Sequence, residues 1–370
     1  MKFVTSQSAI LKSLTLVLGG ISKTPEHSTV KIKSENNLVT FETKNLDIKI
    51  KSFLLAQVEV SGEISVELIK LLEIIKKLNT NAEILFEIKD LGLQIKNGRS
   101  KFFLKGVSSD VEIEKKLEAK GSFKMMSKKL LTLIDKTKFS IYPDETRFNL
   151  NGLLFQFKEE NEVFFLKSVS TDGHRLSICK IETSVPEANN FPKIIVPKKA
   201  TLEIRKILES IEDEEIEIEF LEKQIGFISK SFKFISKLID AEFPEYEKVI
   251  PLENNKIITI SRKELISLVE RVGAIYTNST ENGIKMHFEN NLLTASAKQK
   301  DAGDASDEIT LEESFEGSIE VNYNCNYLIE ILNHITSEKI QLCLKDERTP
   351  AIIKDEKLDF YFYILMPMRL

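Results

Sequence analysis

The stretch ITISRKELISLVERVGAIY, residues 258–276, decides the fold. It opens as a short alternating strand, passes through a serine and continues as an amphipathic helix. Ser261 and Glu264 form an S-x-x-E capping box, in which each side chain satisfies a backbone amide that the helix end leaves without a partner. Leu265, Leu268, Val269 and Val272 follow on one helical face, the spacing of a helix laid against a core. The same order of strand, serine and amphipathic helix occurs twice upstream, in FVTSQSAILKSLTLVL from Phe3 and FKMMSKKLLTLIDKTKF from Phe123. The chain is an internal repeat.

Each copy holds a second helix about halfway along: VELIKLLEIIKKL (66–78), PKKATLEIRKILESI (197–211) and NYLIEILNHI (326–335). Leu68, Leu71, Leu72, Ile75 and Leu78 keep helical spacing, as do Leu328, Ile331, Leu332 and Ile335. Pro197 suits a first helical turn, where a missing N–H costs nothing. The remaining segments, such as residues 82–106, 215–239 and 339–365, read as strand, turn, strand, turn, strand, with clear alternation over Glu215–Phe220. Two helices plus many antiparallel strands per copy give an α+β class. The expected domains are residues 1–120, 121–252 and 253–370.

Length and composition agree. A chain of 370 residues, 42% hydrophobic and 29% charged, has ordinary globular composition and room for two or three domains. No stretch approaches the roughly 18 apolar residues of a membrane span, and MKFVTSQSAI shows no secretory signal. Cys179, Cys325 and Cys343 are too widely spaced to suggest a metal site, and their odd number argues against a disulfide framework. The expectation is a reducing, cytoplasmic location. The net charge of −5 does not exclude nucleic acid, since only the surface facing phosphates must be basic.

The sequence contains no phosphate-binding G-x-x-x-x-G-K-[ST] loop, no G-x-G-x-x-G and no H-E-x-x-H, and its four histidines are dispersed. No metal and no cofactor are therefore expected. One cluster, Ser170–Thr171–Asp172–Gly173–His174–Arg175, admits two readings. In a hydrolase, His174 would act as general base with Asp172 orienting it. Alternatively, Asp172 and Gly173 form a turn between strands, with the Asp172 carboxylate accepting from backbone amides.

Several segments together resemble the bacterial DNA polymerase sliding clamp family, the beta subunit of the replicative DNA polymerase III holoenzyme. They are MKF at the start, NGRSKF (97–102), RFNLNGLLF (147–155), STDGHRLSIC (170–179), IIVPKKA (194–200), SKLIDAEFPEYEKVIP (236–251) and LMPMRL (365–370). They stand in the family's order along nearly the whole chain. The resemblance implies a head-to-tail homodimeric ring of six modules, with helices lining the pore and strands outside. Such a ring encircles duplex DNA without reading its sequence and tethers the replicative polymerase, as a non-catalytic processivity factor. The alternative within the same fold is a clamp-like paralogue acting in repair or regulation.

The resemblance also implies sites. A groove for short hydrophobic peptide motifs of the polymerase catalytic subunit, the clamp loader and repair and translesion polymerases falls to Leu150, Thr171, Gly173, His174, Arg175, Leu176, Pro244 and Val249. Pro350, Ile364, Met366, Pro367, Met368 and Arg369 complete it; methionine suits a surface that accepts differently shaped ligands. The DNA-facing set is Lys12, Lys23, Lys70, Lys77, Lys128, Lys129, Phe148, Lys198 and Lys199. Glu330, on a second helix without lysine, departs from a simply basic lining. The dimer interface sets Arg99, Lys101, Phe102 and Leu104 of one chain against Ile275, Tyr276, Asp304, Asp307 and Glu308 of the other.

Overall fold

A computed structural model describes residues 1–22, 24, 28–107, 119–183, 193–276, 282–300 and 302–369. The first copy runs β1 (Lys2–Thr5), α1 (Gln7–Leu16), β2 (Thr29–Glu35), β3 (Leu38–Lys44), β4 (Ile48–Leu55), β5 (Gln57–Val60), β6 (Gly62–Glu67), α2 (Leu68–Lys77), β7 (Ile84–Lys89), β8 (Gly92–Asn97) and β9 (Ser100–Lys105). The second runs β10 (Gly121–Met126), α3 (Ser127–Asp135), β11 (Gly152–Glu160), β12 (Val163–Thr171), β13 (Arg175–Glu182), β14 (Ile194–Pro197), α4 (Lys198–Ser210), β15 (Glu215–Phe220), β16 (Gln224–Ile228) and β17 (Phe232–Lys237). The third runs β18 (Lys256–Ser261), α5 (Arg262–Gly273), β19 (Gly283–Gln299), β20 (Gly303–Asn324), α6 (Cys325–Asn333), β21 (Lys339–Leu344), β22 (Ala351–Asp355) and β23 (Tyr361–Leu365).

The helices begin where the side chains require it. Ser6 Oγ accepts from Ala9 N, and Ser261 Oγ accepts from Glu264 N, the capping half of the expected box. In the middle copy the cap comes from elsewhere: Asp213 Oδ1 accepts from both Ser127 Oγ and Lys128 N at 3.1 Å. Two expected starts move. Val66 stays in β6, paired with Val30 in the sheet, so α2 starts at Leu68 rather than at residue 66. Pro197 ends β14 opposite Gly152, and α4 starts one residue later. A β-branched residue and a proline both fit a strand end better than a helix interior.

The described residues pack into two compact units, residues 1–131 with 202–238 and residues 132–183 with 193–201 and 239–369. In the first unit, a five-stranded sheet has the order β5-β1-β7-β8-β9 and an eight-stranded sheet the order β10-β15-β16-β17-β4-β3-β2-β6. Strands of the first and second copies join at β17 and β4, where Phe232 faces Ser52 and Phe234 faces Ile50. Helices α1 and α2 pack together. The predicted face of α2, Leu68, Leu71, Leu72 and Ile75, is buried, each side chain contributing roughly 1.5–3 kcal/mol. Phe3 stacks on Phe86 at 4.7 Å in the five-stranded sheet.

The second unit repeats the device. Its eight-stranded sheet has the order β14-β11-β12-β13-β23-β22-β21-β18, beside the long antiparallel hairpin β19-β20. Here the second and third copies join at β13 and β23, in a register from Arg175 opposite Leu365 to Cys179 opposite Tyr361. Helices α5 and α6 pack against one another, burying Leu265, Leu268, Val269 and Val272 on one side and Leu328, Ile331 and Leu332 on the other.

A charge ladder crosses this sheet. Lys167 on β12 and Lys180 on β13 each donate to a different oxygen of Glu160 on β11, at 2.5 and 2.8 Å. These bonds, that of Lys167 foremost, hold the Glu160 carboxyl at about 2, below its ordinary 4.5. The stabilisation is present above the unfolded value and disappears as pH falls through the folded one. Glu160→Gln is expected to lower stability at pH 7 by up to about 1 kcal/mol, the exposure of the ladder limiting the effect. Thermal unfolding of the two proteins should differ less at pH 3 than at pH 7.

Candidate functional site

The β13–β23 pairing brings distant sequence to one end of the sheet. Arg175 begins β13 opposite the last residue of β23, Leu365, and Leu365 also faces Ala351 at the start of β22. His174 and Pro350 therefore flank the residue that follows, Met366. The tail is pinned by its backbone: Met366 N donates to His174 O at 2.9 Å, and Met368 N donates to Asn322 O at 2.8 Å, at the end of β20. Pro367 sits between these two donors and has none of its own. Both methionines and the proline remain half-buried, with Arg369 exposed.

The turn before β13 is built from its own side chains. Asp172 Oδ1 accepts from His174 N at 2.9 Å and Arg175 N at 3.0 Å, while Oδ2 takes Arg175 Nε at 3.0 Å. Thr171 Oγ1 donates to Arg175 O at 2.6 Å and accepts from Gly173 N at 3.1 Å. Gly173 has φ +90, a left-handed conformation that favours glycine. Asp172 is thus engaged by backbone amides and by Arg175, as the turn reading expects, and the His174 ring stacks instead on Tyr327 of α6 at 5.7 Å.

Beneath the turn lies an apolar cluster of Leu154, Val169, Leu176, Ile178, Ile195, Tyr246 and Ile364. Leu176 and Ile364 are fully buried core, so neither side chain is open to a ligand in this structure. Tyr246 enters through the segment Phe243–Val249: its hydroxyl donates to Gln156 Oε1 at 3.1 Å, its amide to Pro244 O at 2.7 Å, and Phe243 meets it edge-on. Val249 stays exposed at the end of this segment. Leu150 is buried just before β11, whose start the register places near Thr171. Tyr246 stands within the sequence motif FPEY; its aromatic neighbour and proline were the available signal for it.

Further ties join the middle and third copies. Lys136 Nζ donates to His334 O at 2.6 Å and lies 4.0 Å from the Tyr361 ring centre; burial pushes its ammonium pKa down. Helix α6 has no basic residue in its own last turn, and this lysine supplies the positive charge its C-terminal carbonyls favour. Phe139 stacks on His334 at 4.0 Å. Arg175 Nη1 stands 2.8 Å from Glu330 Oε2. The acidic group that departs from a basic helix surface is therefore ion-paired.

The other sequence-derived positions are distributed as follows. In the first unit Lys12, Lys70, Lys77, Lys128 and Lys129 are exposed, Lys70 paired with Glu67. In the second, Lys199 and Phe148 are exposed, but Lys198 is half-buried with its ammonium donating to Pro143 O at 3.1 Å. Lys23 lies outside the described residues. Arg99 is exposed in the turn before the edge strand β9, Lys101 and Phe102 are exposed on that strand and Leu104 is half-buried there, with Phe103, absent from the sequence-derived set, 53% exposed. Asp304 and Glu308 are exposed on β20. Two interface candidates have partners within the chain: Asp307 pairs with Arg271, and the half-buried Tyr276 donates its hydroxyl to Gly283 O; Ile275 beside it is half-buried. Among the described residues no group of three His, Cys, Asp or Glu could hold a metal, and no helix is long and apolar enough to cross a membrane.

Three copies of a two-helix α+β module, joined edge to edge through their sheets and ending in a pinned apolar tail, define a clamp-type scaffold. Family models agree along the chain: the N-terminal, central and C-terminal domains of the DNA polymerase III beta subunit match residues 1–115, 124–245 and 247–369. The chain is 31% identical to the beta sliding clamp of Pseudomonas aeruginosa and 30% identical to that of Caulobacter vibrioides, over the full length of each. Its fold is similar to the solved DNA polymerase III subunit beta of Pseudomonas aeruginosa and to the sliding clamp of Bartonella birtlesii bound to griselimycin, both with TM-score 0.92, 30% identity and complete coverage of both chains. The chain belongs to the DNA polymerase III beta subunit family, the DNA sliding clamps of replication, which are non-catalytic processivity factors.

The turn should be sensitive. Asp172→Ala removes three bonds and leaves Arg175, buried beside it, without its one buried counter-charge among the described residues, the remaining Glu330 being half-exposed. A loss of about 3 kcal/mol is expected for breaking such a buried pair from one side, read by calorimetric unfolding against the parent protein.

Proposed function

We propose that two copies of this sliding clamp close head to tail around duplex DNA, and that the groove at the Met366–Met368 end of the second unit's sheet captures its partners. Those partners are the replicative polymerase catalytic subunit, the clamp loader and repair or translesion polymerases, each through a short hydrophobic peptide. The observation that carries this reading is the pinned tail: two main-chain bonds hold Met366 and Met368 just after the strand that gives Ile364 to the apolar cluster, leaving soft side chains to adapt to several ligands. Each chain contributes three domains, residues 1–120, 121–252 and 253–370, so the ring has six modules. The setting is the cytoplasm, which suits three free, buried cysteines.

Ring closure uses two strand edges. Strand β9 ends its sheet and exposes Phe102 and Phe103 between Arg99, Lys101 and Lys105. Strand β20 has β19 as its strand partner among the described residues and presents Asp304 and Glu308. An open apolar edge invites pairing with another chain, and twofold symmetry makes the contact twice. The apolar residues supply most of the attachment, since rim charges contribute little. Exposed lysines on the helices, Lys12, Lys70, Lys77, Lys128, Lys129 and Lys199, attract phosphates without reading bases, which allows sliding and makes retention salt-sensitive.

Two measurements test these parts separately. Phe102→Ala with Phe103→Ala should weaken the dimer at least tenfold in sedimentation equilibrium and abolish retention on nicked circular DNA; an unchanged dimer constant places the interface elsewhere. Met366→Ala with Met368→Ala should leave dimer and retention intact. Its affinity for a fluorescein-labelled hydrophobic peptide from the replicative polymerase should fall more than tenfold in anisotropy, and undiminished binding would remove these methionines from the groove.

A further inference from the structure

The side chain of Arg175 is only 6% exposed. Its Nε donates to Asp172 Oδ2 and its Nη2 to Phe139 O, both at 3.0 Å. The guanidinium carbon lies 4.6 Å from the Tyr327 ring centre and 5.1 Å from that of Phe139, so two aromatic rings flank the cation. The remaining nitrogen, Nη1, is buried without an aligned hydrogen-bond acceptor among the described residues. What it has is Glu330 Oε2 at 2.8 Å, a charge contact out of line for a hydrogen bond.

Tyr327 and Glu330 stand three apart on α6 and so share one face. The helix thereby meets the guanidinium with a ring and with a carboxylate. Asp172 alone already balances the charge of Arg175, so neutrality does not require Glu330. Nor does stability, because the Glu330 side chain is 45% exposed and a pair so open to solvent is worth little. Its effect is directional: it is the group that holds the Nη1 end of a side chain whose other end organises the turn. That turn presents the His174 carbonyl that fixes Met366.

We propose that Glu330 is a positioning residue of the peptide groove, acting through Arg175 on the Thr171–Arg175 turn and so on Met366; the inference rests on the groove reading given above. Helix α6 and the groove then form one mechanical piece, and a change at the Glu330 carboxylate is felt at a methionine on the far side of Arg175. Tight geometry in a site depends on such supporting contacts.

The test uses the full-length dimer and the labelled polymerase peptide. Glu330→Ala should weaken peptide binding about tenfold while sedimentation and thermal midpoint stay at parental values. Glu330→Gln keeps the length and an oxygen toward Nη1 and should restore most of the affinity. In an Arg175→Lys background Glu330→Ala should add no further loss, as expected of groups acting in series. Parental affinity in Glu330→Ala, with binding abolished in the Met366/Met368 double variant, overturns the positioning role and leaves the groove standing. Parental affinity in both overturns the groove reading and this inference with it. A loss in Glu330→Ala matched by a fall in thermal midpoint, or equal in Glu330→Gln, makes Glu330 merely structural or its length irrelevant, and overturns the proposal.

Discussion

The second unit depends on five residues of antiparallel pairing, Arg175–Cys179 against Tyr361–Leu365. These hydrogen bonds fuse strands of the middle and third copies into one eight-stranded sheet. A one-residue slip would turn Leu176 and Ile364 out of the core and move Met366 away from the His174 carbonyl, because side chains alternate strictly along a strand. Register here is therefore both a folding constraint and the geometry on which the proposed groove depends. The buried cluster beneath it, with Tyr246 in its midst, penalises every alternative register.

The first unit uses the same solution at β17 and β4. The middle copy gives strands to both large sheets, which is why a chain of three modules packs as two compact units. Edge pairing closes the open side of each half-sheet and spares the molecule the aggregation risk of an exposed ladder. The strands β9 and β20 remain outside these joints. A module that binds its neighbours by strand edges within the chain has the same kind of edge available for binding between chains.

How much of this is legible in the sequence follows from the range of each interaction. Periodicity located the six α-helices of the described residues, because it is local: the α2 and α5 faces are buried as their spacing requires. The Asp172–Gly173 turn was equally readable, since its bonds span two or three residues. The long-range partners were not. Nothing local says that α3 takes its cap from Asp213, that Asp307 is engaged by Arg271, or that Lys198 is tied to the Pro143 carbonyl. Charge alone made Asp307 and Lys198 look free for a partner. Glu330 shows the same limit most sharply, for on the helix it reads as a lone acid facing solvent, and only the fold brings Arg175 to it.

The charges of the chain accordingly fall into two physical classes with different uses. The exposed helix lysines stand open to solvent, some of them beside a carboxylate, and each attraction they exert is weak and screened within about a Debye length. Many such contacts retain a polyanion without fixing it at one position. Arg175 is the opposite case: desolvated, flanked by rings and held by groups from the turn, from Phe139 and from α6. Fixing it has already cost the ordering of those groups during folding, so a peptide captured at the proposed groove would not have to organise them. A sliding clamp needs both regimes in one molecule, diffuse attraction where it must move and preorganised geometry where it must hold. Under the proposed function the first falls to exposed helix faces and the second to the β13–β23 joint, so salt would weaken one with little effect on the other.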